Sequence, residues 1–167
     1  MEGTPFTSKK YFKTLKIIHF ALTAGAVLAS IVLTLASKAD EVGEILPIKF
    51  IIPAAAIFGL AASIFIFKHL VSKALKQETL SAKLAHYYSA NIVKFSLLEG
   101  PSLLASAGYF LQGNIMYLIT AWGLILWLAF NRPSFDRAVF DLELNQEEKA
   151  KLQEPETIVT YIKQKRY

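Results

Sequence analysis

From Ile17 to Ala36 the chain carries no Asp, Glu, Lys or Arg, and the same is true from Phe50 to Phe67 and from Ile115 to Phe130. At about 1.5 Å of rise per residue, some 20 apolar residues match a hydrocarbon core of roughly 30 Å. Runs of this kind restrict the fold more than any other feature here. The overall hydrophobic fraction of 54% and mean hydropathy of +0.40 exceed what a soluble domain of 167 residues needs for its core. The charges are segregated into the connectors. The expected architecture is all-α: an integral membrane four-helix bundle of two hairpins with a short helical tail.

Taken in order, residues 1–16 form a basic juxtamembrane segment, with Lys9, Lys10, Lys13 and Lys16 interleaved with Tyr11 and Phe12 as at a lipid interface. Residues 17–130 form the membrane domain, with spans expected at about 17–36, 48–67, 89–111 and 115–130. The first apolar run is longer than the ~7–15 residues of a signal-peptide core, so it reads as a retained span despite the small-x-small pattern at Ser37-Lys38-Ala39. The connector 68–88 is basic, and its leucines suggest helical extensions of both flanking spans with a bend near Gln77–Ser81. Gln112-Gly113-Asn114 reads as a tight turn, and Asn131-Arg132-Pro133 ends the last span, with Pro133 suited to a first helical turn.

The tail, 131–167, is polar. Phe135, Val139 and Phe140 are placed to lie along the membrane surface, and Asn145-Gln146-Glu147-Glu148 reads as a capping box opening a helix to Gln153, stopped by Pro155. Thr157 to Tyr167 suits pairing, lipid contact or disorder equally. Lysines and arginines concentrate before the first span, in the middle connector and after the last span. The positive-inside rule therefore puts both termini and that connector in the cytoplasm, with the protein crossing the cytoplasmic membrane several times.

The costliest residues lie in Lys94-Phe95-Ser96-Leu97-Leu98-Glu99-Gly100-Pro101-Ser102. A carboxylate near mid-membrane costs at least ~2.5–3.5 kcal/mol when charged. Glu99 is therefore the candidate proton- or cation-binding group, with His19 or Lys94 as counter-charge and Ser102 and Ser106 on its helix face. The bland alternative is a neutral Glu99 bonded to serine and backbone, with Lys94 snorkelling to the headgroups. Gly100 and Pro101 suggest a kink, and Gly25 and Gly59 close approaches between helices. Arg132 and Arg137 are candidates for binding a lipid headgroup or a partner. Tyr109, Tyr117, Trp122 and Trp127 read as packing and interface anchors.

An echo links the halves. Shifted by 75 residues, Phe20, Leu22, Gly25 and Leu28 coincide with Phe95, Leu97, Gly100 and Leu103. Either a parallel duplication or the chance likeness of two small-residue helices accounts for it. With no cysteine there is no disulfide, thiolate nucleophile or Cys-based metal site. No phosphate-binding loop, metal-ligand spacing, nucleophile elbow or dinucleotide fingerprint is present, so no enzyme, cofactor or metal is expected. The net charge of +5 is explained by topology and anionic lipid rather than nucleic acid.

The basic N-terminal segment, His19-Phe20-Ala21-Leu22, Leu97-Leu98-Glu99-Gly100-Pro101, Asn131-Arg132-Pro133-Ser134 and Phe140-Asp141-Leu142-Glu143-Leu144 together resemble a family of small four-helix membrane proteins common in Bacteroidota. That resemblance implies a four-span fold and no activity. A more distant similarity is to the c-type rotor subunits of rotary ATPases, but the acid falls on the first helix of the second hairpin and the dense Gly-x-Gly-x-Gly packing signature is absent. No rotor residue is carried over. The leading expectation is a non-enzymatic accessory or structural subunit, partnered by membrane lipid and by itself or other membrane subunits. Its rival is a proton- or cation-coupled carrier using Glu99, and lipid binding through the basic connector is a third.

Overall fold

The computed structural model describes residues 4–37 and 46–162. The elements are β1 (Thr4–Thr7), α1 (Ser8–Ala36), α2 (Leu46–Leu75), α3 (Leu80–Gln112), α4 (Ile115–Phe130), α5 (Phe135–Asp141), α6 (Gln146–Gln153) and β2 (Ile158–Ile162). The acidic part of the first expected loop, 38–45, and the last five residues, 163–167, lie outside the described residues.

Each expected span lies within a helix, and α2 and α3 extend past theirs, leaving a break over residues 76–79 where a bend was expected. The ends are set by local chemistry. Thr79 Oγ1 accepts from Ala82 N at 3.2 Å to open α3, and Asn114 Oδ1 accepts from Met116 N at 3.0 Å to open α4. Gly113 stops α3 in the left-handed conformation, φ 65°, which a glycine adopts without steric cost. Pro133 is not in a first helical turn. Ser134 caps α5 instead, its Oγ accepting from Arg137 N at 3.2 Å, so the buried Pro133 lies ahead of the helix.

α3 packs against α1, α2 and α4 and is the centre of the array. Of the four long helices it exposes the fewest large apolar side chains, Leu104 and Leu111, whereas α2 alone exposes Phe50, Ile57, Phe58 and Phe65 among others. Inside are small and polar groups: His19, Ser30, Ser63, Asn91, Ser102 and Ser106 are all buried. Two helices, α1 and α2, are long and apolar enough to cross a membrane, and α4 with α5, bent by 85° between them, would make a third only as one broken span. α3 falls short because Lys94, Glu99, Pro101 and its serines dilute its apolar run.

A polar cap closes one end. β1 pairs antiparallel with β2, Thr4 opposite Ile162 and Phe6 opposite Thr160, with a bulge at Phe6/Thr7. For Ile158–Ile162 this selects pairing among the fates open to the tail. The first amides of α1 are satisfied across the cap, Ser8 N by Thr157 O at 3.0 Å and Lys9 N by Pro155 O at 3.1 Å. Ser8 Oγ donates to the Leu152 carbonyl.

The cap also grips the start of α3. Thr160 Oγ1 donates to Ser81 O at 3.0 Å, and Lys83 Nζ meets Glu148 Oε1 at 2.8 Å. Glu148 closes the capping box with Asn145 as well, so one carboxylate both caps α6 and fixes it to α3. Tyr11 is not exposed to a lipid interface, and Phe12 is only half-exposed. Tyr11 is fully buried with its hydroxyl donating to Leu84 O at 2.9 Å, and Phe12 packs edge-on against Phe135.

Candidate functional site

Glu99 is half-buried on α3, and among the described residues no cation lies within ion-pair distance of its carboxylate. The groups expected beside it are occupied elsewhere. His19 is buried, its Nε2 donating to Leu128 O at 2.9 Å and its ring edge-on to Phe95 at 4.8 Å. Lys94 Nζ lies over the Phe67 ring, 4.3 Å from its centroid. Ser102 Oγ donates to the backbone oxygen of Glu99 at 2.7 Å and Ser106 Oγ to Ser102 O at 3.0 Å, so both hydroxyls are spent on their own helix. The α3 motif is therefore dispersed: Glu99, His19 and Lys94 do not converge.

What the motif does is pack. α3 runs helically through Pro101, whose ring cannot donate to the carbonyl of Leu97. Gly59 of α2 sits against that spot. A Cβ on Gly59 would collide with Pro101 Cγ and lie 2.7 Å from Leu97 O. Gly108 makes a second close approach, with Ile52 of α2 filling the space a side chain would need. Gly25 and Gly100 are different: both face open space, so neither is a close-approach point within the chain. Gly108 was legible only as one of several small residues, Ala105, Ser106 and Ala107 being its neighbours.

Two cavities flank the junction of helices and cap. One, about 420 Å³, is lined by Lys16, His19, Arg132, Pro133 and Ser134. Lys16 and Arg132 are exposed there, which makes it an open basic surface. Arg137, grouped with Arg132 on sequence grounds, instead donates from Nη2 to Phe130 O at 3.1 Å and closes the end of α4.

The other cavity, about 310 Å³, lies between α2 and the end of α4, beneath α5. Its walls include Phe67, Val71 and Trp127, and its polar groups are Lys68, Ser72, Lys94, Asn131 and Asp141. Asp141 Oδ2 accepts from Tyr87 OH at 2.8 Å. Burial and this carboxylate hold the Tyr87 phenol well above its ordinary range, so the proton stays on tyrosine. Lys94 and Asp141 thus face one space without an ion pair between them. Asn131 and Asp141 come from segments that nothing in the sequence connects to Lys94.

No known protein family, curated protein or solved structure matches the chain.

Proposed function

We propose that this chain is a multi-pass inner-membrane protein, a four-span bundle with both ends and the α2–α3 connector in the cytoplasm, acting as a non-enzymatic structural or accessory subunit. The observation that carries the reading is the apolar exterior of the helices. Large apolar groups face outward on α1, α2 and α4, while serines, Asn91 and His19 are buried around α3. In water the exposed phenylalanines, isoleucines and leucines of α1, α2 and α4 would need a covering partner, whereas in lipid they form the solvated face. Association inside lipid rests on close packing at small residues, as at Gly59 and Gly108. The cap gathers β1, β2 and the break after α2 at one end, in keeping with the positive-inside count.

Integration and topology are testable together, since the chain has no cysteine of its own. The protein is expected to stay in the membrane pellet under alkaline carbonate. Asn114→Cys should react with an impermeant maleimide in cells whose outer membrane is made permeable, and Lys149→Cys only after lysis. Release by carbonate, or labelling of Lys149→Cys from outside, defeats the membrane reading. Native mass spectrometry of gently extracted protein then tests the subunit role, which requires a stoichiometric partner or a homo-oligomer; a bare monomer counts against it.

The carrier alternative has no converging charges to support it. Glu99→Gln is accordingly expected to leave pH-driven proton flux into proteoliposomes indistinguishable from wild type. Loss of a wild-type flux in that variant would instead make Glu99 a conducting group.

A further inference from the structure

We propose that the cleft between α2 and α4 is a binding site for one zwitterionic phospholipid of the cytoplasmic leaflet, with a primary-amine headgroup. This inference rests on the membrane reading given above. Beyond the 310 Å³ cavity, α2 and α4 continue to bound an apolar hollow of about 270 Å³ lined by Ala56, Leu60, Thr120, Gly123 and Leu124, and Trp127 lines both spaces. The wall residues of α2 (Ala56, Leu60, Ile64, Phe67, Val71) recur at helical spacing, and Thr120, Leu124, Trp127 and Asn131 do so on α4. α2 and α4 both pack on α3 but touch each other far less, so a continuous groove is left between them. From Ala56 to Val71 it follows about 22 Å of helix, which covers one leaflet of a ~30 Å core and part of its headgroup layer.

The groove changes chemistry along its length as a lipid does. Its inner part is apolar and floored by Gly123, where even a Cβ would meet nothing. Its outer part offers Lys94 and Lys68, the cations a phosphate requires, with Asp141 lining the same space. The Asp141 carboxylate has one oxygen held by Tyr87 and the other free of any hydrogen bond among the described residues. Asn131 donates to Trp127 O at 2.7 Å, which leaves its side-chain oxygen as a second acceptor. Two acceptors and two cations lining one space fit a headgroup with both a phosphate and an N–H-bearing ammonium. A quaternary ammonium has no N–H to give, and a headgroup with no cation leaves Asp141 unanswered.

Purified protein in mild detergent, mixed with equimolar phosphatidylethanolamine, phosphatidylcholine and phosphatidylglycerol, is the test, read by native mass spectrometry. One retained phosphatidylethanolamine is expected. Asp141→Asn keeps an acceptor for Tyr87 and is expected to lower its retention about tenfold, the scale of one charge-assisted hydrogen bond. Lys94→Met should weaken all three lipids. Gly123→Phe, which fills the hollow, should remove the lipid.

Equal retention of the three lipids, or phosphatidylethanolamine binding untouched by both Asp141→Asn and the exposed-rim variant Lys68→Met, overturns the proposal. So does displacement by soluble glycerophosphoethanolamine at concentrations equal to the lipid's own. Carbonate release of the protein is a different result and defeats the membrane reading instead.

Discussion

Gly59→Leu is expected to destabilise the protein by about 3 kcal/mol, near the upper end of the usual cost of overpacking. The new side chain has nowhere to go. Its first carbon already meets Pro101 Cγ and the Leu97 backbone oxygen, and neither is the far end of a flexible side chain. α2 must move off α3, and no other two helices of the protein pack together as extensively as these. Denaturant titration in mild detergent measures the change. Gly25→Leu and Gly100→Leu supply the contrast, since both point into open space and should fall within about 0.5 kcal/mol of wild type. Equal losses at all three glycines would mean that helix propensity or lipid packing, rather than the interlock, sets the cost. A second comparison isolates the partner. Pro101→Ala removes the ring and restores an N–H for Leu97, so Gly59→Ala should cost less in that background, a coupling expected of groups in direct contact.

The sequence showed that Gly59 and Pro101 were unusual but not that they meet. A small residue on one helix and a proline on another are local facts, whereas their contact depends on the rotation of α2 about its axis. α2 is apolar almost all the way round, so no polar face betrays which side turns inward. Gly25 shows the converse error: glycine marks where a close approach is permitted, not where one occurs. Helix limits were far easier to read, because caps are local. The Asn145 to Glu148 box and the Gly113 stop both lie where their sequence signatures put them.

The cap was hidden for the opposite reason. Its strands are joined across almost the whole chain, and nothing in Thr4–Thr7 announces Ile158–Ile162 as its partner. The dispersal of Glu99, His19 and Lys94 was likewise beyond periodicity. Helical spacing places side chains on a shared face, but the rotamers that take Lys94 to Phe67 and His19 to Leu128 are decided by neighbours on other helices.

Tyr11→Ala is expected to cost about 4 kcal/mol, in the range for deleting a fully buried large aromatic. Tyr11 has no exposed surface, stacks edge-on with Phe12 at 5.2 Å and leans on Tyr88 at 5.9 Å. Its hydroxyl reaches Leu84 O, so α1 is pinned to the first turns of α3 at the level of the cap. Tyr11→Phe keeps the packing and loses only that bond, for which about 1 kcal/mol is the expected cost. The two variants separate the roles of ring and hydroxyl. Because β1 runs directly into α1, freeing this turn also loosens the β1–β2 pair. Amide exchange at Val159 and Thr160 should therefore quicken in Tyr11→Ala and not in Tyr11→Phe. If both variants left exchange and stability alike, the N-terminal turn would be held by lipid alone, as its basic and aromatic sequence first suggests, and the cap would not be what fixes α1 against α3.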